Sequence, residues 1–222
     1  MKKVVALSTD KASNPINLYG ASTLCSDKLF VAGNSYAMER ETRFSVVRYG
    51  NVMGSRGSVI PYFLQMRKKG VLPVTDERMT RFWITLDQGV DQVFMAFNKM
   101  QGGELFVPKL PSMRITDLTK ALAPECEVRV VGIRPGEKLH ECMIGSDDAP
   151  NTVEFPNYYL IKPAIHDWAD PTLWEKGGKP VADGFVYSSN TNPDWMSEAQ
   201  LKAILSKYLL KDSEMVLSDS AE

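Results

Sequence analysis

Cysteine and histidine are scarce in this chain, with three and two among 222 residues. Cys25, Cys126 and Cys142 are too few for a disulfide framework and too widely spaced for a zinc site. His140 and His166 share no spacing pattern, so no metal is expected. Charge of one sign is also lacking: the net charge is -1 and the pI about 6.2, which excludes the basic surface of a nucleic-acid binder or of a polybasic lipid anchor. No apolar run approaches the roughly 20 residues of a spanning helix. The apolar stretch near the start, Val4 to Leu7, stops at Ser8-Thr9-Asp10-Lys11, too soon for a signal-peptide core. A glycine-rich turn between a strand and a helix, the usual cradle for a dinucleotide pyrophosphate, follows no strand-like run. These absences point to a chain with no nucleic-acid or membrane partner, and to the cytoplasm as the compartment.

What is present is ordinary globular material, 44% hydrophobic and 24% charged, enough for one sizeable core or two small ones. Lys3 to Leu7 and Phe44 to Arg48 read as buried strands, and a helix is predicted from about Tyr19 to Met38. A short helix carries Tyr62, Phe63 and Met66. Leu86, Val90, Val93, Phe94 and Phe97 recur at helical spacing, and Gly102-Gly103 ends that helix before a strand at Glu104 to Val107. A helix at Thr116 to Ala123 and a strand at Val128 to Ile133 follow, and Arg134-Pro135-Gly136-Glu137 is expected to open another helix. Residues 145–195 show poor periodicity, and Ser197 to Leu209 is a helix with a capping-box start at Ser197 and Gln200. Strands alternating with helices make this an α/β fold with a parallel sheet.

Ser8-Thr9-Asp10-Lys11 closes the first strand. In doubly wound sheets ligands bind outside the carboxyl ends of the strands, so a hydroxyl, a carboxylate and an amine are presented where chemistry sits. Tyr19, eight residues after Lys11, opens a helix and carries a phenol suited to acid–base work. Read singly, these are turn, cap and packing residues. Arg81 read alone is a surface ion pair with Asp76 or Glu77, and Arg134 a pair with Glu137. The four tryptophans read as packing.

Together the strings are more specific. Ser8 to Ala21, then Arg48-Tyr49-Gly50-Asn51-Val52, Arg78-Met79-Thr80-Arg81-Phe82-Trp83 and Arg134-Pro135-Gly136-Glu137-Lys138-Leu139-His140-Glu141, resemble in order the extended short-chain dehydrogenases that dehydrate UDP-N-acetylglucosamine. Leu18-Tyr19-Gly20 resembles the inverting branch, which serves the pathway to pseudaminic acid and related surface sugars. The resemblance implies NADP as cofactor, a UDP-sugar as substrate and a homo-oligomer. It implies that Tyr19 is the base for oxidation at C4, Lys11 the base at C5, and Asp10 the acid for the departing C6 hydroxyl, with Thr9 on the C4 oxygen. Arg81 and Arg134 would hold the diphosphate, Asn51 the sugar nucleotide, and Glu137 the ribose or uracil.

Two departures from the family's pattern stand out. The family places lysine one helical turn after the tyrosine, where it lowers the phenol's pKa and holds the nicotinamide ribose; here that position is Thr23. The family also begins with the glycine-rich half, about four strands with their helices, which has no counterpart in this sequence. The fold expected is therefore an incomplete doubly wound, Rossmann-like parallel sheet without its cofactor-pyrophosphate site, exposing apolar faces. The sheet remnant is assigned to residues 1–55 and 83–108, a smaller α/β substrate domain to 56–82 and 109–210, and a disordered tail to 211–222. Besides a dehydratase, these residues suit a non-catalytic UDP-sugar-binding module or an assembly remnant of that family.

Overall fold

A computed structural model describes residues 1–37, 40–55 and 57–206. The tail at 211–222, the last turn expected for the final helix, and Met38 and Arg56 lie outside the described residues.

Strands β1 (Lys3–Thr9), β2 (Arg43–Tyr49), β3 (Asn51–Val52), β4 (Val71–Val74), β5 (Thr80–Ile84), β6 (Leu105–Pro108) and β7 (Ser112–Arg114) come first, with helices α1 (Leu18–Tyr36), α2 (Val59–Arg67), α3 (Leu86–Lys99) and α4 (Ile115–Leu122). Strands β8 (Glu127–Val130), β9 (Cys142–Ile144), β10 (Thr152–Glu154), β11 (Tyr158–Ile161), β12 (Lys179–Pro180) and β13 (Tyr187–Ser188) follow. The main sheet runs β1-β2-β6-β11-β10-β12. Its first three strands are parallel, and the rest pair antiparallel.

Side chains alternate across this sheet, so each strand serves two faces. Ala6 and Val46 point into one cluster with Phe30 and Val31 of α1. Val47, one residue on, points into another with Ala96 and Met100 at α3. Val46 and Val47 are fully buried, a burial that stabilises by roughly 1.5–3 kcal/mol per side chain. Helix α1 is tied down by polar groups as much as by oil. Its buried residues are Gly20, Asp27 and Asn34, seven apart on one stripe. The Asn34 amide accepts from the Phe44 N–H (3.0 Å) and donates to the Phe44 carbonyl (2.9 Å), pairing the helix end with β2. A third cluster, with Phe63, Leu72, Trp83, Leu118, Leu122, Leu201 and Leu205, joins α2, α4, β4, β5 and the helical residues 198–206.

Several expectations are corrected. β1 has no strand partner on its outer side among the described residues, and Leu7 is 57% exposed, so it is an edge rather than an interior strand. The apolar stripe of α3 is divided: Phe97 packs against the core beside Ala96 and Val93 is half-buried, while Leu86, Val90 and Phe94 are exposed. Arg134-Pro135-Gly136-Glu137 opens no helix. Gly136 has φ of 76° and the Glu137 N–H donates to the Arg134 carbonyl, which makes a proline–glycine β-turn. The strand predicted to reach Ile133 ends at Val130, and residues 145–195 contribute four strands despite their weak periodicity. Trp83 and Trp174 are almost fully buried packing residues.

Candidate active site

The carboxyl end of β1 leads directly into a single turn of helix at Asp10–Ala12, where the Lys11 N–H donates to the Thr9 hydroxyl at 3.3 Å. Helix α1 begins soon after, capped by Asn17, whose side chain accepts from the Gly20 N–H at 2.8 Å. Gly20 is required there: a Cβ would stand 2.1 Å from the Lys11 carbonyl oxygen. This backbone contact brings Tyr19, on the first turn of α1, alongside Lys11.

A cavity of about 790 Å³ opens at this point. Thr9, Lys11, Tyr19, Asn51, Arg81, Arg134 and Glu137 all line it, although they come from five separate stretches of chain. Asp10 does not. It is wholly buried behind its neighbours, and its Oδ1 accepts from the Thr9 hydroxyl (2.8 Å) and from Lys11 Nζ (2.9 Å).

Lys11 Nζ also lies 3.4 Å from Asn51 Oδ1 and 3.5 Å from Glu141 Oε1. Burial disfavours the charge on this amine, but Asp10 and Glu141 outweigh it and hold the ammonium above the ordinary lysine range. Glu141 is the residue that sequence reasoning left without a role. Burial first, and the charge of Asp10 second, push its carboxyl above the usual carboxylate range, against the opposing pull of Lys11 and Arg81. Its only sequence signal was membership in the Arg134-to-Glu141 string.

Arg81 is 5% exposed and pairs with neither Asp76 nor Glu77. Its Nε is 3.5 Å from Glu141, and its terminal nitrogens donate to the carbonyls of Thr80, Leu139 and Lys138. It therefore pins the 134–141 segment against β5. Asp76 pairs instead with Arg78, whose bonds hold that carboxyl down to about 2. Arg134 forms no ion pair with Glu137; Glu137 leans toward Arg81 at 3.6 Å. Asp10 Oδ2, Glu137 Oε2 and Glu141 Oε2 are buried and accept no hydrogen bond among the described residues.

On its other side Tyr19 borders an open recess of about 550 Å³, with Ser8, Ser22, Thr23, Ser26, Tyr49, Gly50 and Ser55. The recess is rich in hydroxyls, and none of the described residues that line it is a cation. The Thr23 hydroxyl is spent on the Tyr19 carbonyl, and Lys28 borders a different, smaller cavity beside Arg48. Among the described residues this recess presents neither a glycine-rich strand–helix turn nor a cationic side chain to a diphosphate.

The model of one protein family, described as polysaccharide biosynthesis protein, matches residues 1–163, a span that contains every residue of this cavity. The chain belongs to the polysaccharide biosynthesis protein family. Within that range of proteins it is 57% identical, over 213 residues, to the inverting UDP-N-acetylglucosamine 4,6-dehydratase of Campylobacter jejuni. That alignment covers 92% of this chain and 64% of the relative, so the chain spans less than two thirds of the relative's length. It is 40% identical to the UDP-glucose 4-epimerase of Rickettsia conorii, covering 91% of this chain and 61% of that protein. Among solved structures, that of Pen from Bacillus thuringiensis superposes with a TM-score of 0.78 at 32% identity, covering 93% of this chain and 62% of that one. The α/β architecture with a parallel sheet, expected from the alternation of elements, is the one shared with this neighbour. No helix among the described residues is long and apolar enough to cross a membrane.

Proposed function

We propose that this family member carries the substrate-binding and acid–base part of an inverting UDP-N-acetylglucosamine 4,6-dehydratase. The observation that carries the reading is the convergence of Thr9, Lys11, Tyr19, Asn51, Arg134 and Glu137 on one cavity at a strand end. The 57% identity to a protein of that name supports the choice of reaction.

In this reading Arg134 is the cation presented to the diphosphate, and Arg81 acts mainly by fixing the segment that bears it. Asn51 and Glu137 contact the sugar nucleotide. Dehydration requires a ketone at C4, and in this reading the Tyr19 phenol takes the proton of the C4 hydroxyl. The ketone acidifies the C5 proton; Lys11 would remove it, and the ammonium so formed would give a proton to the C6 hydroxyl, which departs as water as the C5–C6 double bond forms. Asp10 reaches the sugar only through the Thr9 hydroxyl and the Lys11 amine. The family relies on NADP as hydride acceptor, which would take up the hydride from C4. The product would feed surface-sugar biosynthesis of the pseudaminic acid type.

Thr23, and the lack of a cation among the described residues of the recess, favour a second reading, a non-catalytic UDP-sugar-binding module. A homo-oligomer is part of the proposal, supported by the exposed apolar residues Leu18, Leu29 and Tyr36 on α1 and Leu86, Val90 and Phe94 on α3.

Two measurements test this. Calorimetric titration with UDP-N-acetylglucosamine should give binding that Arg134→Ala weakens by about 10- to 100-fold, the scale of a charge-assisted contact. Incubation with the same sugar and NADP, followed by mass spectrometry, separates dehydration, which loses one water, from epimerisation, which leaves the mass unchanged. Binding without product selects the second reading, and absence of binding overturns both.

A further inference from the structure

Lys11 poses a proton problem. A base must be neutral, yet the ammonium here is clamped between two carboxylates, Asp10 and Glu141. Its proton needs a destination within reach, and only those two carboxylates are in contact with it among the described residues.

They are not equivalent. Asp10 Oδ1 already accepts from the Thr9 hydroxyl at 2.8 Å and from Lys11 at 2.9 Å, so its lone pairs are occupied. Glu141 accepts no hydrogen bond through its carboxylate from a hydroxyl or a backbone N–H among the described residues. Its Oε1 faces Lys11 and Arg81, each at 3.5 Å; its Oε2, like Asp10 Oδ2, is buried without a partner, so the two carboxylates differ in the bonds made by their other oxygen. A buried carboxylate with so few donors gains most from becoming neutral. Its backbone is fixed, since the Glu141 N–H donates to the Ser189 hydroxyl at 2.9 Å and its carbonyl accepts from the Ser189 N–H. The charged groups facing it are Asp10 and Lys11 from the turn after β1, Arg81 from β5 and Lys138 from its own segment.

We infer that Glu141 is the proton partner of Lys11: it takes the ammonium proton when Lys11 becomes the base and returns it when Lys11 must again be an acid. The step is a single transfer. The Lys11 Nζ–H bond breaks, an O–H bond forms on Glu141 Oε1, and the electron pair left on nitrogen is the one that accepts the sugar proton. Arg81, unable to give up a proton, holds Glu141 in place throughout. The inference rests on the cavity being the UDP-sugar site, and Glu141 acts through Lys11 rather than on the sugar.

Competitive acetylation of the whole chain, read at Lys11 by mass spectrometry across pH 7 to 11, tests it without any sugar. Glu141→Gln keeps the shape and removes the anion, so Lys11 should lose its proton at lower pH. Its reactivity near pH 9 should rise about tenfold, as a titration curve displaced by about one pH unit requires. Glu141→Asp should restore much of the original curve. A residue that only holds the fold would not move this curve. Should Glu141→Gln not fold, Lys11→Met supplies the other half of the pair: it should reveal a protonated-carboxyl infrared band near neutral pH, absent from the unaltered chain. An unchanged acetylation curve in folded Glu141→Gln, or no such band in Lys11→Met, overturns the inference. The calorimetric titration reports separately on the UDP-sugar reading.

Discussion

The Thr23 hydroxyl donates to the Tyr19 carbonyl at 2.9 Å, so the side chain one helical turn beyond the phenol serves its own helix and offers Tyr19 no charge. Thr23→Lys would set an ammonium on the same helical face. A nearby positive charge favours the ionised form of a phenol. Tyrosinate absorbance at 295 nm should therefore appear at lower pH in Thr23→Lys than in the unaltered chain, with Tyr19→Phe identifying the signal. Identical titration curves would mean that the helix face turns the amine away from the phenol.

Tyr19 and Lys11 are held side by side by a contact that only glycine permits. Gly20→Ala would place a methyl group 2.1 Å from the Lys11 carbonyl oxygen, and backbone atoms do not yield to such an approach. The variant should be destabilised by about 1–3 kcal/mol through overpacking. It should also lose UDP-sugar affinity more than Gly89→Ala, where the open space around the Cβ predicts little change in stability or binding. Equal behaviour of the two in thermal melts and calorimetry would dissolve the coupling between α1 and the Asp10–Ala12 turn.

Much of this site was legible in the sequence, and the reasons for the rest are specific. Strand ends and helix starts placed Thr9, Lys11 and Tyr19 near one another, but it was the family resemblance that singled them out and added Asn51. The stripe Leu86, Val90 and Phe94 was readable as a period, but a period says that a face is apolar and not what covers it. The proline and glycine of Arg134–Glu137 suit a helix start and a β-turn alike, and the positive φ of Gly136 decides for the turn. Glu141 carried no local signal. Its significance comes from Lys11 and Arg81, which reach it from distant parts of the chain. Arg81 taken alone read as a surface cation and the family resemblance placed it at a diphosphate; it is buried on β5 beneath the 138–141 segment, which sequence spacing does not show.

Asp27 and Arg48 form a second buried ion pair, 3.0 Å long with both side chains 3% exposed, and Ser8 donates to the same carboxylate oxygen at 2.8 Å. Removing Asp27 leaves the buried Arg48 with the Met143 carbonyl at 3.0 Å and only the more distant Asp148 carboxylate at 4.0 Å. Asp27→Ala should cost about 3–5 kcal/mol, whereas replacing both residues by apolar ones of similar size should cost much less. A double-mutant cycle in urea checks this. Additive losses would show that the pair is wet enough for each charge to stand alone.

Alkaline pH should unfold this chain through groups that keep protons only while folded. Burial raises the phenols of Tyr49, Tyr158, Tyr159 and Tyr187 above the usual tyrosine value, and Lys11 lies above the usual lysine value. The unfolded chain therefore releases protons from about pH 10 that the folded chain retains. The folded state binds more protons in that range, so stability is full below pH 10 and falls as pH rises. Tyr187 should dominate: it is the most strongly raised of the four, and its hydroxyl accepts from the Leu110 N–H at 2.8 Å and donates to the Leu110 carbonyl at 3.1 Å. Tyr187→Phe leaves the Leu110 N–H unpaired and should cost about 1–3 kcal/mol at pH 8. It should also flatten the decline above pH 10, because phenylalanine has no proton to lose. Melting temperatures from pH 8 to 11.5 for both proteins decide the point; parallel curves would mean that Tyr187 ionises in the folded chain as readily as in the unfolded one.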